Sequence, residues 1–316
     1  MKHKHRRFFL YLLLRCWIAL IRLGPRSFAL FLAKAIGWAA YFLVWVQRRP
    51  VLEHLRIAWK SEKDEKEIRT IGRRVFENLA MMACDVIRFP RLTAATLDQW
   101  LSCDPEIFAK IDRILKNGRG VIILTGHLGN WELLAGAFGV KGYSGAVVGK
   151  RIYYEPYNEI IVGLRQGVGV ETIYRDESPR KILRILSQNQ ILGIVADQDV
   201  DSVEGTFVPF FGIPAYTPTA PAKLSLASGA PIVPACVIRE GDRYHMMMGE
   251  PIYPEVKDSK EQTVQEITER WSREIEAYIR RYPDQWGWMH DRWKTKPDDQ
   301  VSNAPAAKDR KFSGGQ

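Results

Sequence analysis

Within Gly126-His127-Leu128-Gly129-Asn130-Trp131-Glu132, a histidine and a glutamate stand at a spacing that suits proton transfer. An imidazole titrates near working pH and can take a proton from an alcohol, while a carboxylate on its other nitrogen fixes the tautomer and stabilises the imidazolium. A hydroxyl activated in this way can attack an activated acyl group directly, so the chemistry needs no serine nucleophile. The preceding run, Val121-Ile122-Ile123-Leu124-Thr125, is short, mostly apolar and bounded by glycine, which predicts a buried strand. Asn130 is a good helix N-cap, and Glu132 then falls in the first helical turn, where the dipole favours its charge. His127 is therefore expected at a strand end, with Glu132 as its orienting partner.

Spacing alone is weak evidence, because six histidines among so many acids give about 0.7 chance occurrences of His-x4-Asp/Glu. The chain contains two. The second, His245 and Glu250, lies along one continuing strand, Tyr244 to Met248, closed by Pro251. Five extended residues separate two side chains by roughly 16 Å and turn them to opposite faces, so this pair is expected to be inert.

A chain of 316 residues, 46% of them hydrophobic, has enough apolar material for a substantial core. The net charge of +10 belongs to the first sixty residues, which hold twelve Lys or Arg against one acid, Glu53. This segment begins Met1-Lys2-His3-Lys4-His5-Arg6-Arg7, then runs apolar from Phe8 to Leu23 and from Phe28 to Val46, with Gly24-Pro25 between. Sixteen helical residues reach about 24 Å against a hydrocarbon core of about 30 Å, and Arg15 and Arg22 share a face. A monotopic or single-pass anchor on anionic cytoplasmic-leaflet headgroups is expected. The second run, with Lys34, Trp38, Tyr41, Phe42 and Trp45, can face lipid or the protein core. No small-x-small cleavage site closes the first run. Basicity mixed with long apolar runs, and no reading motif, argues against nucleic acid. The four cysteines are widely spaced, consistent with reduced thiols and without the spacing of a zinc site.

Ile68, Ile71, Val75, Leu79, Met82 and Val86 repeat at three and four residues, predicting a long helix from Asp64 to Phe89. Further helices are expected at 104–117, 131–139, 156–166, 179–189, 218–229 and 260–281, and strands at 121–125, 144–148, 170–174, 191–196, 232–238 and 243–248. This alternation predicts an α/β fold, a mainly parallel mixed sheet flanked by helices, with an antiparallel hairpin at Glu240-Gly241-Asp242. The expected organisation is an anchoring segment over 1–60, an α/β domain over 61–293 and a polar, disordered tail over 294–316.

Sites in such sheets gather at the carboxyl ends of strands, where His127 and Asp197-Gln198-Asp199 both fall. Two aspartates are too few for a dedicated metal site, and loop acids commonly cap helices or pair with arginine. Arg165 is suited to clamping a phosphate or supporting an oxyanion. Phe207 to Phe211 suits either core packing or contact with an acyl chain.

Gly126 to Glu132, Leu164-Arg165, Asp197-Gln198-Asp199, Phe207-Val208-Pro209-Phe210-Phe211-Gly212, Pro231-Ile232-Val233-Pro234 and Gln285 to Thr295 resemble, in that order, motifs of the lipid A late acyltransferases, within the lysophospholipid acyltransferase superfamily. The resemblance covers about residues 8 to 296. It implies transfer of a fatty acyl chain from acyl carrier protein, or coenzyme A, to a hydroxyl of a lipid A precursor at the cytoplasmic face of the inner membrane, without cofactor or acyl-enzyme. By it His127 is the general base, Glu132 its partner, and Asn130, Arg165, Asp197 and Asp199 contact substrate. A phospholipid, ornithine lipid or other glycolipid acceptor would use the same catalytic pair. A membrane-attached esterase would want Gly-x-Ser-x-Gly, and Gly142-Tyr143-Ser144-Gly145-Ala146 misses its last glycine. A non-catalytic lipid-binding module would not require the His127/Glu132 pair.

Overall fold

The computed structural model describes residues 11–297 apart from 13, 14, 17, 61, 201, 257 and 258. Helices α1 (Arg26–Leu43), α2 (Trp45–Trp59) and α3 (Glu65–Ile87) lead into a short α4 (Leu97–Trp100) and β1 (Leu101–Cys103). Then follow α5 (Glu106–Leu115), β2 (Val121–Thr125), α6 (Trp131–Val140), β3 (Gly145–Gly149), α7 (Glu155–Gln166), β4 (Glu171–Tyr174), α8 (Pro179–Ser187) and β5 (Ile191–Val195). The remainder is β6 (Gly205–Phe210), β7 (Ile213–Pro218), α9 (Ala220–Ser228), β8 (Ile232–Glu240), β9 (Arg243–Met248) and α10 (Lys260–Arg281).

Seven strands form one sheet in the order β1-β9-β8-β2-β5-β3-β4, parallel throughout except where β9 doubles back on β8 at Gly241 (φ 62°). β2 lies in the middle and is buried along its whole length. Its side chains alternate in destination: Ile122 and Leu124 enter the core with Trp271, Ile275 and Trp288, while Val121 and Ile123 enter the core with Ile111, Leu133 and Phe138. A central parallel strand covered on both faces needs such an uninterrupted apolar run. The hairpin β6-β7 stands apart as a two-stranded sheet.

The long α3 begins at the expected residue because Asp64 and Glu67 form a reciprocal capping box. Against it lies α1, buried at Ala29, Leu30, Ala33, Gly37 and Tyr41. A methyl group at Gly37 would sit 2.5 Å from the Phe76 carbonyl, so this crossing requires glycine. The opposite face of α1 leaves Phe28, Phe31, Trp38 and Phe42 exposed. Among the described residues no single helix is long and apolar enough to cross a membrane, although α1 and α2, bent by 88°, meet the length and composition requirement as a pair. Val51, Leu55, Ala58 and Trp59 of α2 join the same core as the sheet. Arg22, expected beside Arg15 on a lipid-facing helix, instead donates Nε to the Ile87 carbonyl at the end of α3. The basic start, residues 1–10, and the tail beyond 297 lie outside the described residues. Within the segment expected to be a loose tail, Thr295 is tied to Asp199 through both its backbone N–H and its hydroxyl.

Candidate active site

Thr125 and Val195 are register partners in the adjacent parallel strands β2 and β5. Two residues beyond each lie His127 and Asp197, so the pairing of the strands delivers both side chains to one end of the sheet. Asp197 is buried, and one of its oxygens accepts from His127 Nδ1 at 2.7 Å. The other accepts from the His127 backbone N–H at 2.7 Å and from Trp286 Nε1 at 2.6 Å. Gly126 makes this approach feasible, since a Cβ there would stand 2.8 Å from the Asp197 carboxylate. Gly129 (φ 60°) turns the chain into α6, where any side chain would collide with the Val237 carbonyl.

Burial alone would raise the Asp197 pKa, but the His127 charge and the hydrogen bonds from His127 and Trp286 pull it down to about 2. An ionised carboxylate only accepts, so the imidazole proton sits on Nδ1 and leaves Nε2 with its lone pair. For His127, burial disfavours the charged ring, but the charge and hydrogen bond of Asp197, with the more distant field of Glu132, outweigh it and hold the pKa above its ordinary value. The ring keeps 30% of its side-chain surface exposed, the opening a substrate needs.

Glu132 occupies the first turn of α6, as expected, but it grips Arg165 and not His127. The pair is bidentate, Nη2 to Oε1 at 2.6 Å and Nε to Oε2 at 2.8 Å. The carboxylate that orients the imidazole is therefore Asp197, whose relation to His127 is invisible in local spacing because it exists only across two strands. Asn130 caps α6 by accepting from Leu133 N–H and gives its amide to the Tyr244 hydroxyl, fully buried. Asp199 is occupied by Thr295. Among the described residues no group of three or more His, Cys, Asp or Glu side chains is gathered as metal ligands would be. His245, on β9, meets Ser102, and Glu250 meets Lys110, so the second His-x4-Glu forms no dyad.

A cavity of about 300 Å³ runs between α6 and the sheet. At the carboxyl ends of the strands it is lined by His127, Glu132, Arg165, Lys150 and Arg175, and toward the other end by Leu134, Phe138, Val147 and Ile191. Asn130, Asp197 and Asp199, expected at the substrate, do not line it. Arg165 does.

The cavity thus joins a polar opening at His127 to an apolar slot between α6 and the sheet. The family model described as bacterial lipid A biosynthesis acyltransferase matches residues 1–295. The chain belongs to this family. Its relatives include a phosphatidylinositol mannoside acyltransferase of Mycolicibacterium smegmatis, 29% identical over 57% of this chain and 58% of the relative. A lipid A biosynthesis lauroyltransferase of Escherichia coli K12 is 27% identical over 57% of this chain and 58% of the relative. A lipid A biosynthesis myristoyltransferase of the same organism is 24% identical over 89% and 85%. The alignment spans 58% to 66% of the length of the phosphatidylinositol mannoside acyltransferases. In this member of the lipid A biosynthesis acyltransferase family, Trp286 is the site residue that sequence reasoning left without a role. Its Nε1 steadies Asp197, and its neighbour Gly287 donates its N–H to the His127 carbonyl.

Proposed function

We propose that this protein moves a fatty acyl chain from a thioester of acyl carrier protein, or of coenzyme A, to a hydroxyl of a lipid A precursor. The observation that carries the reading is the His127–Asp197 pair at the polar end of an apolar cavity. The acceptor hydroxyl lies against His127 Nε2 and gives up its proton as its oxygen attacks the thioester carbonyl. The tetrahedral intermediate collapses, the C–S bond breaks, and the proton passes from the imidazolium Nε2 to the departing sulfur, which leaves as a thiol and returns the ring to its neutral form. Asp197 stabilises that imidazolium and keeps the ring in the tautomer that can act. No enzyme nucleophile enters the sequence.

The acyl chain lies between α6 and the sheet, where each methylene removed from water contributes about 0.8 kcal/mol. Arg165, Lys150 and Arg175 give the opposite end a positive character suited to phosphates of donor or acceptor. Arg165 cannot serve by itself as a free clamp, because Glu132 already holds two of its nitrogens. The exposed apolar faces of α1 and α2 support attachment to the cytoplasmic face of the inner membrane, where such acceptors reside.

The relatives named for phosphatidylinositol mannoside favour a second acceptor, also a phosphorylated glycolipid. Membranes containing the protein, offered both thioester donors and each acceptor in turn, decide the matter by mass. A gain of one acyl chain on the lipid A precursor that disappears in His127→Ala supports the proposal. His127-dependent gain on the mannolipid alone moves the acceptor to that class, and donor consumption without acyl gain on either acceptor means hydrolysis and overturns the proposal.

A further inference from the structure

The 88° bend between α1 and α2 raises a ridge of apolar side chains at Phe42, Leu43, Val44, Trp45 and Val46, with Leu43 81% and Val46 74% exposed. Directly beside the ridge, α2 and α3 enclose a groove of about 800 Å³ whose lining carries six cations, Arg48, Arg49, Arg56, Lys66, Arg69 and Arg73. One carboxylate, Glu65, lines it and is shared by Arg56 and Arg69. Arg73 pairs with Glu77 at the margin, and Glu53 lies on the same helix α2, so the cations remain in excess. Arg48 stacks over Trp45 at 4.8 Å and Tyr41 at 5.4 Å, which keeps its guanidinium edge available to an anion.

We propose that this groove binds the phosphate headgroup of an anionic membrane lipid while the ridge enters the acyl-chain region beside it. The two features together select a bilayer. A purely electrostatic partner leaves five apolar side chains in water, and a purely apolar one leaves the excess charge unanswered. Trp45 is suited to the boundary, since indole favours the headgroup level and its face also carries Arg48. The groove is separate from the cavity that holds His127, yet α2 links them. Its inner face places His54 against the Trp288 carbonyl at 2.8 Å, two residues from Trp286 on Asp197. A headgroup held in the groove therefore fixes the orientation of the catalytic body over the membrane.

The test is co-sedimentation of the full chain with vesicles of phosphatidylcholine alone or mixed with phosphatidylglycerol, at low and molar salt, without acyl donor, so that its outcome is independent of the catalytic proposal. The expected result is binding that requires phosphatidylglycerol and weakens with salt, and that falls at least about tenfold in Arg49→Glu/Lys66→Glu, two cations with no carboxylate partner among the described ion pairs. Arg49→Gln/Lys66→Gln, which adds no repulsion, is expected to show a smaller loss in the same direction. Leu43→Ser/Val46→Ser should weaken binding to the phosphatidylglycerol vesicles at low and at molar salt alike, and His127→Ala should bind as wild type. Unchanged binding by both charge variants overturns the proposal. So does loss of binding to an acidic carrier protein with vesicle binding intact, which makes the groove a protein-docking surface.

Discussion

The His127 backbone and ring both rest on one carboxylate: Asp197, seventy positions along the chain, accepts the backbone N–H on one oxygen and Nδ1 on the other, each at 2.7 Å. Such a two-point grip fixes the direction of the ring as well as its tautomer. His127→Ala is expected to lower turnover about 10²- to 10⁴-fold, the usual contribution of a positioned base. Asp197→Asn should be comparably damaging, since an amide nitrogen at that position favours the tautomer with its lone pair turned away from substrate. Acyl-transfer rates at saturating donor check both, and an Asp197→Asn enzyme near wild type overturns the assignment.

The same pair sets a pH dependence. Asp197 holds the His127 pKa above its ordinary value of about 6.5, and a general base acts only when neutral, so kcat should rise with pH and level off above that raised pKa. Replacing Asp197 by Asn removes the larger raising influences and leaves burial, which lowers the pKa, opposed by the more distant field of Glu132. The rising limb should therefore move to lower pH while the plateau falls. A pH–rate profile of each enzyme shows the shift, and a limb that stays in place in the variant argues against His127 as its source.

Glu132 and Arg165 should behave as a unit. Their side chains are 11% and 17% exposed, and removing either strands the other's charge in a largely buried wall. Glu132→Gln and Arg165→Gln are each expected to cost tenfold or more in kcat/KM, with the double variant losing less than the product of the two. Multiplicative losses would mean that the two side chains act separately on substrate.

His245→Ala is the matching control and should leave turnover near wild type, because the β9 strand carries His245 away to Ser102. Loss equal to that of His127→Ala removes the strand argument.

Acyl selectivity should follow the space beside α6. Ala135 lines the cavity, and Ala135→Leu should move preference toward shorter donors in a competition between thioesters of different length, with little change in the pH profile.

Much of this arrangement was legible in the residues. The strands at 121–125 and 243–248 and the helix at 260–281 appear at the expected bounds because their apolar patterns are long and end at glycine, proline or a serine cap. The mainly parallel sheet followed from alternation. The hairpin β6-β7 was hidden because Pro209 faces Pro214 across it and the flanking aromatics read equally well as core or lipid contact. β1 is only three residues long, too short for a period to register. Glu132 stood closest to His127 in sequence, and the true partner became visible only with the β2-β5 register, a long-range fact that no local spacing encodes.

The segment from Gln285 to Thr295 completes the site from behind: Trp286 reaches Asp197, Gly287 reaches the His127 carbonyl and Thr295 reaches Asp199. During synthesis from the amino terminus, the base and its carboxylate are already part of the nascent chain well before these contacts exist. A ribosome must extrude residues beyond Thr295 before the centre can close, so His127 and Asp197 stand without this support for as long as that segment is inside the exit tunnel. A messenger cut short before that point yields a chain that carries His127 and Asp197 without the contacts of Trp286, Gly287 and Thr295.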